Sequence, residues 1–269
     1  MSRELNRREF ISRGAATAGL AAASLRSPAG AKASAADGWG ELTGRFLYDG
    51  TPPQRKRLKV DKDVDCCGKF DIRDESLMVG EDGGLGNVYV YVRTRGVPVC
   101  PELVQSVEKE VLLDNRDCIF MPHCMKIWYT EQVFHIVNSD PVAQNVTFSP
   151  LGDRPANIIL PPLPAAAAEA TWTFNRKQNV PVPIACNYHP WESAFILPRD
   201  NPYVDVTKMD GTFRIPKLPA GKLEFQLWHE KVGYLQTPRW SRGRFTVAVK
   251  PGINDLGTFR IDPAWLVKR

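Results

Sequence analysis

Proline and glycine occur along the whole length of this chain and limit the folds that it can adopt. The 269 residues include 22 prolines and 20 glycines, a density that argues against a bundle of long helices. Between them lie short β-branched and aromatic runs, such as residues 86–93 and 133–137, which are typical of strands. The sequence therefore predicts an all-β protein with one short helix at residues 101–110.

The first 37 residues have the form of an export signal. Arg7 and Arg8 precede an apolar run from Gly14 to Leu25, and a small-residue cleavage stretch follows at residues 31–35. A membrane span needs about 20 apolar residues, so this run is too short to cross a bilayer. The paired arginines resemble a bacterial twin-arginine signal. We therefore expect a periplasmic or other extracytoplasmic protein whose mature chain has no membrane span.

The positive charge of the chain is concentrated at this end. The formal net charge is +5, but residues 38–269 hold 29 Lys and Arg against 27 Asp and Glu. A nearly neutral mature chain without a Gly-rich phosphate loop gives no basis for nucleotide or nucleic-acid binding. We therefore expect no nucleic-acid partner.

Six cysteines in an exported protein predict disulfide bonds. They are Cys66, Cys67, Cys100, Cys118, Cys124 and Cys186. The sequence alone leaves 15 complete pairings open. The adjacent pairs Cys66-Cys67 and His123-Cys124 also permit a zinc site, although neither has the CxxC spacing that turns two ligands toward one ion.

The C-terminal part carries a recognisable β motif. Asp210-Gly211 is followed by Phe213, Ile215 and a Leu-Pro-Ala-Gly turn at 218–221. This pattern resembles the carboxypeptidase-regulatory-like, transthyretin-like β-sandwich. Such modules begin with a strand, a Gly-x-Pro turn and a Val-rich strand, which here match residues 43–53 and 86–93. The resemblance implies one sandwich built from residues 38–100 and 201–260, with residues 101–200 inserted in it or adjacent to it.

Cys186 and His189 are the first candidate functional residues. They lie three residues apart on a loop between two predicted strands, so a thiolate and an imidazole can face one ion, a pair that suits copper. The same residues also fit a buried or disulfide-bonded sulfur beside a loop histidine. A nucleophile–base dyad is a third alternative, but we find no acid nearby to orient the imidazole and do not expect hydrolysis.

A longer pattern supports the copper alternative. Its parts are Cys118-x-Phe-x-Pro-His123, Asn138-x-Asp140-Pro141, Asn145-Val146 and Cys186-Asn-x-His189-Pro190. Together they resemble the cupredoxin-like (plastocyanin-type) domains of bacterial exported proteins. The resemblance implies a Greek-key β-sandwich over residues 101–200 with a type 1 copper site.

Two positions depart from that family. Gln144 stands where the family has its first histidine ligand, and Glu192 stands where it has the axial methionine. The resemblance therefore implies copper held by Cys186 and His189, with Gln144 and Glu192 as altered ligands. An amide oxygen replaces imidazole poorly, and a hard carboxylate favours Cu(II). His123 or His135 could supply the missing imidazole. A blue-copper centre, a modified copper or other metal site, and a metal-free fold all remain open.

These observations predict an exported cupredoxin-like protein that acts in electron transfer or copper binding, with a periplasmic redox partner or an envelope component. The alternative is a non-catalytic binding or scaffold protein of the cell envelope. The resemblance also implies that Cys118 pairs with Cys66 or Cys67, because the Cys-x-Phe-x-Pro-His strand should lie near the N-terminal cysteines. We interpret His229 as structural.

Overall fold

A computed structural model describes residues 34–165 and 168–267, with side chains from residue 38 onward. The predicted twin-arginine signal falls almost entirely on residues 1–33 and lies outside this described part. Among the described residues, no helix is long and apolar enough to cross a membrane.

Strands make up most of the described chain. In order they are β1 (Ser34–Tyr48), β2 (Tyr89–Val92), β3 (Glu110–Arg116), β4 (Ile119–Met121), β5 (Cys124–Trp128), β6 (Val133–Asn138), β7 (Gln144–Phe148) and β8 (Ala156–Leu160). They continue as β9 (Glu169–Trp172), β10 (Val182–Ala185), β11 (Ser193–Arg199), β12 (Val204–Val206), β13 (Thr212–His229), β14 (Gly233–Tyr234), β15 (Arg244–Val249) and β16 (Gly252–Ile261).

Helices are few and short. They are α1 (Val64–Cys67), α2 (Pro101–Ser106) and two 3-10 turns at Ser241–Gly243 and Pro263–Leu266. The all-β prediction is confirmed. The predicted helix at 101–110 ends at Ser106, because Val107 is already extended and β3 begins at Glu110.

One sheet combines the two ends of the described chain. Its order is β12-β2-β13-β1-β16, and β14 and β15 also pair with β13. The long β13 pairs with β1 through its first half and with β2 and β15 through its second. A turn at Asp210-Gly211 opens β13. Gly211 has a φ of 79°, and a Cβ there would lie 2.0 Å from the Phe46 carbonyl oxygen, so only glycine fits.

The strands from β3 to β11 form two further sheets. Their orders are β5-β11-β10-β7-β8 and β4-β3-β6-β9. The chain crosses repeatedly between them, and both sheets contribute to one apolar core. This core includes Phe120 and Phe134 from the four-stranded sheet and Val146, Ile184 and Ile196 from the five-stranded sheet. Two sheets that share one core form a β-sandwich.

A second apolar cluster joins this sandwich to the large sheet. Its buried members are Tyr89, Tyr91, Leu197, Val204 and Trp228. The Tyr89 hydroxyl lies 3.0 Å from the Met125 backbone nitrogen and 2.9 Å from the Phe195 carbonyl oxygen. The division into residues 38–100 plus 201–260 and residues 101–200 stays a prediction.

Candidate metal centre

The four predicted site residues meet at one end of the five-stranded sheet. Gln144 begins β7, Cys186 follows β10, and Glu192 precedes β11. His189 lies in the loop that joins β10 to β11. Because β10 pairs with both β7 and β11, the strand ends carry all four side chains to the same place.

Asn145 fixes the loop against β7. Its Oδ1 accepts a hydrogen bond from the Asn187 backbone N–H at 3.0 Å, and its Nδ2 donates to Asn157 Oδ1 at 2.7 Å. The Glu192 backbone N–H donates to the His189 carbonyl at 2.9 Å and closes the turn. The loop is therefore held at its start and at its end.

The potential ligand atoms lie close together. Cys186 Sγ is 3.8 Å from His189 Nδ1 and 3.7 Å from Gln144 Oε1. His189 Nδ1 is 2.8 Å from Gln144 Oε1 and 3.3 Å from Glu192 Oε1. The sulfur, imidazole and carboxylate donors of Cys186, His189 and Glu192 all lie within 4.8 Å of one another. The structure thus brings together the four residues that the sequence singled out.

Glu192 has an unusual environment for a carboxylate. The residue is 2% exposed, and neither carboxylate oxygen has a hydrogen-bond partner. Its contact with His189 Nδ1 at 3.3 Å is close enough for an ion pair. Burial raises the pKa of Glu192. A buried carboxylate without donors is costly unless a cation or a proton neutralises it.

Asp63 binds the far side of the His189 ring. Its Oδ2 lies 2.8 Å from His189 Nε2. Burial lowers the pKa of His189, but the contacts with Cys186, Glu192 and Asp63 outweigh it and raise this pKa to about 10. A pKa of about 10 makes the ring positively charged at neutral pH.

A disulfide holds the segment that carries Asp63. Asp63 immediately precedes α1, and its carbonyl oxygen accepts hydrogen bonds from the backbone N–H groups of Cys66 and Cys67. Cys67 is bonded to Cys118. This pairing confirms the prediction that Cys118 pairs with Cys66 or Cys67. Among the described residues, Cys66, Cys100, Cys124 and Cys186 are free.

Asp140 orients Gln144. Its Oδ2 accepts hydrogen bonds from Gln144 Nε2 at 3.0 Å and from the Cys118 backbone N–H at 3.1 Å. Burial raises the pKa of Asp140. With its amide nitrogen bound in this way, Gln144 turns Oε1 toward Cys186 and His189.

The two histidines considered as replacement ligands are engaged elsewhere. His123 lies between carboxylates, with Nε2 3.0 Å from Glu230 and Nδ1 3.5 Å from Glu75. His135 lies between Glu110 and Glu169 at 2.9 and 3.2 Å. Neither ring supplies the missing imidazole in this structure, because each is held by its own pair of acids.

The alternative zinc set does not form either. In the described part of the chain, the sulfur of Cys66 lies close enough to those of Cys67 and Cys118 to share an ion with them. His123 and Cys124 do not belong to this group. Cys67 and Cys118 are already joined to each other.

Sequence reasoning missed the role of Asp63. We expected no acid to orient the His189 imidazole, and that expectation is wrong, because Asp63 lies at hydrogen-bond distance. Asp63 and His189 are 126 residues apart, and no local pattern connects them. Asp140, in contrast, belongs to the local motif Asn138-x-Asp140-Pro141.

No family model and no curated protein matches the chain. Among solved structures, amicyanin from Paracoccus versutus matches at 13% identity and a TM-score of 0.28, covering 41% of this chain and 97% of that one. The copper-containing nitrite reductase from Thermus scotoductus SA-01 matches at 18% identity and a TM-score of 0.28, covering 38% and 27%. A purple cupredoxin from Nitrosopumilus maritimus matches at 15% identity and a TM-score of 0.25, covering 34% and 100%. Because similarity at this level supports no conclusion about function, the role of the chain is inferred from its own residues.

Proposed function

We propose that this protein binds one copper ion through Cys186, His189, Glu192 and Gln144, and acts in electron transfer or copper handling outside the cytoplasm. The single observation that carries the proposal is the buried Glu192 carboxylate, which accepts no hydrogen bond and has the His189 ring 3.3 Å away as its charged contact. A copper ion bound between these two side chains would take the place of the His189 Nδ1 proton and neutralise the carboxylate directly.

The spacing of the donors fits one ion. Metal bonds of about 2.0–2.3 Å to sulfur, nitrogen and oxygen place neighbouring tetrahedral donors about 3.3–3.7 Å apart. The separations of Cys186 Sγ from His189 Nδ1 and of His189 Nδ1 from Glu192 Oε1 are 3.8 and 3.3 Å. These distances support a shared ion with little rearrangement of the loop.

The donor types favour copper with an altered character. Copper, when bound, would supply a one-electron Cu(I)/Cu(II) couple. A thiolate and an imidazole suit both oxidation states, whereas the Glu192 carboxylate and the Gln144 amide oxygen are harder donors that favour Cu(II). His189 would keep the Nε2 proton that it donates to Asp63 and lose the Nδ1 proton, so metal uptake would release a proton.

A thiol hydrolase or transferase is a second candidate, because Cys186, His189 and Asp63 are arranged like a nucleophile, a base and an orienting acid. Cys186 is only 4% exposed and His189 is fully buried. A substrate therefore has no direct approach to the sulfur, and a small ion is the better match to the site.

The compartment, the partners and the module boundaries are part of the same proposal. A twin-arginine signal at residues 1–37 would deliver the folded protein to the periplasm. There it would meet a redox partner or an envelope component. Residues 101–200 would form the copper-binding cupredoxin-like module, and residues 38–100 plus 201–260 the transthyretin-like one.

The test is metal binding by the purified protein. Cu(II) or Zn(II) is added in parallel, unbound metal is removed, and the retained metal, the visible absorption and the EPR spectrum are measured. We expect about one copper per chain and a thiolate-to-copper absorption band that Cys186→Ser abolishes. Cys100→Ser, which removes a buried free thiol elsewhere, is the matched control and should keep the band.

Glu192→Gln is a more specific test of the carboxylate, because it keeps the side-chain shape and removes the charge. We expect it to weaken retention of Cu(II) more than that of Cu(I). Retention of zinc but not copper would assign another metal to the site. If neither metal is retained, the copper proposal fails and the metal-free scaffold alternative replaces it.

A further inference from the structure

A basic pocket lies away from the candidate metal centre. It has a volume of about 450 Å³ and is lined by residues that include Tyr91, Arg93, Arg95, Lys177, Arg199 and Tyr234. Arg93 and Arg95 follow β2, Lys177 lies in the segment before β10, Arg199 ends β11 and Tyr234 ends β14. Its volume is within the range of small-molecule sites, and its lining has four cations and no acid.

Arg199 is the most constrained of these cations. It is 5% exposed, and its Nη1 and Nη2 donate to the carbonyls of Gln178 and Val92 at 2.8 Å each. Its Nε has no hydrogen-bond partner, and no carboxylate of the described residues lies within ion-pair distance of it. A buried guanidinium without a carboxylate in direct contact is costly; Asp200 acts on Arg199 only from beyond ion-pair distance and is itself paired with Lys177.

The other three cations are only partly neutralised. Lys177 Nζ lies 2.6 Å from Asp200 Oδ2, and Arg93 Nε lies 3.3 Å from Glu224 Oε2. Arg95 is exposed and has no ion-pair partner among the described residues. Four cations against these two carboxylates leave two positive charges at the pocket.

An aromatic ring packs against the Arg199 guanidinium. The Arg199 guanidinium carbon lies 5.3 Å from the centre of the Tyr91 ring. The Tyr91 hydroxyl donates a hydrogen bond to the Asn179 carbonyl at 2.6 Å, which fixes that ring. A cationic group that is already ordered loses little conformational entropy when it binds an anion.

We propose that this pocket binds a dianionic small molecule that carries carboxylate or phosphate groups. Arg199 and Arg95, the two cations without a carboxylate partner, would contact its charged groups, and Tyr91 and Tyr234 would flank it. The inference is independent of the copper proposal, because it uses none of the same residues.

The test is a titration of the full protein with succinate and, separately, with inorganic phosphate at pH 8, followed by ¹⁵N NMR that includes the arginine Nε–H signals. We expect saturable shifts at the Arg199 Nε–H and at backbone amides of residues 93–95, and weaker binding as the salt concentration rises. Comparison of the two probes assigns the carboxylate or the phosphate class.

Arg95→Ala tests the site without disturbing the buried residues. Loss of one charge-assisted contact should weaken binding about tenfold. Arg239→Ala is the matched control, since Arg239 is an exposed cation that lies over the Phe259 ring elsewhere, and it should leave the affinity unchanged. The proposal is overturned if neither probe gives saturable shifts up to about 10 mM, or if Arg95→Ala and Arg239→Ala behave alike.

Discussion

Gln144 Oε1 lies 2.8 Å from His189 Nδ1, and these two atoms lie 3.7 and 3.8 Å from the Cys186 sulfur. The charged His189 ring donates its Nδ1 proton to this oxygen and its Nε2 proton to Asp63. Both residues are fully buried. This one hydrogen bond therefore takes up the nitrogen that a metal would need.

Replacing Gln144 by histidine should strengthen copper binding. An imidazole is a better donor to copper than an amide oxygen, and Gln144 already faces Cys186 and His189. We expect Gln144→His to raise the Cu(II) affinity at least about tenfold and to intensify the thiolate-to-copper band. Competition titration against a chelator measures this. Gln132→His, which adds a histidine away from the site, should change neither quantity; an equal gain there would point to adventitious binding.

Removing the Asp63 carboxylate should weaken copper binding without removing a ligand. Asp63 accepts the Nε2 proton of His189, and partners of this kind change metal affinity by about 10–100-fold. We expect a loss of this size for Asp63→Asn and partial recovery for Asp63→Glu. Asp65→Asn, an exposed neighbour on α1, serves as the control. Unchanged affinity in Asp63→Asn would show that the contact does not tune the imidazole.

The Cys67–Cys118 disulfide should stabilise the fold by closing a loop. The two cysteines are separated by 51 residues, and the chain-entropy model assigns a loop of this length about 4 kcal/mol. Cys66 Sγ lies within 4.8 Å of both bonded sulfurs, so it can replace Cys67. We therefore expect Cys67→Ser to lose less stability than the double variant Cys66→Ser/Cys67→Ser, as measured by urea unfolding.

A peptide map of non-reduced Cys67→Ser provides the independent check. It should contain a Cys66–Cys118 bridge, and Cys66→Ser alone should leave the original bridge and the unfolding free energy intact. A free Cys118 thiol in Cys67→Ser would contradict the replacement.

His123 should make stability depend on pH in the alkaline range. Burial lowers the pKa of His123, but Glu230 and Glu75 outweigh it and raise this pKa from 6.5 to about 9. Because the pKa is higher in the folded state, its contribution is fully present below pH 6.5 and is lost as pH rises through about 9. Urea midpoints between pH 6 and 10 should fall over that window, and His123→Gln should flatten the fall. An identical profile for wild type and His123→Gln would exclude His123 as the source of the pH dependence.

His229 should make stability depend on pH in the acid range. Complete burial, with smaller contributions from Lys231 and His123, lowers the pKa of His229 to about 4. Because the folded pKa lies below the unfolded one, the unfolded state takes up the proton first, and stability should fall as pH drops from 6.5 toward 4. His229→Gln should reduce this acid-side loss in the same urea series, and an unaltered loss would argue against it.

The local sequence pattern predicts strand positions where β-branched and aromatic residues form a clear run. The strand-like run at residues 133–137 is β6 in the structure, which is one residue longer, Val133–Asn138. β8 was missed, because Ala156–Leu160 is an edge strand between Pro155 and Pro161 with little alternation. The Leu-Pro-Ala-Gly segment at 218–221, which the sequence predicts to be a turn, lies inside the single strand β13. The chain continues through Pro216 and Pro219 with a register shift near Ile215 and Leu218, where missing backbone donors are tolerated.

The sequence by itself determined the local part of the candidate metal centre. Cys186 and His189 are three residues apart, so their spacing alone predicts that they can face one ion, and the resemblance to the cupredoxin-like pattern adds Gln144 and Glu192 as altered ligands. Tertiary structure decided the rest: Asp63 against His189, Glu75 and Glu230 around His123, and the unpaired Arg199. These contacts join residues far apart in the chain. Burial and charge pairing depend on how separate strands and loops pack, and no local spacing encodes that packing.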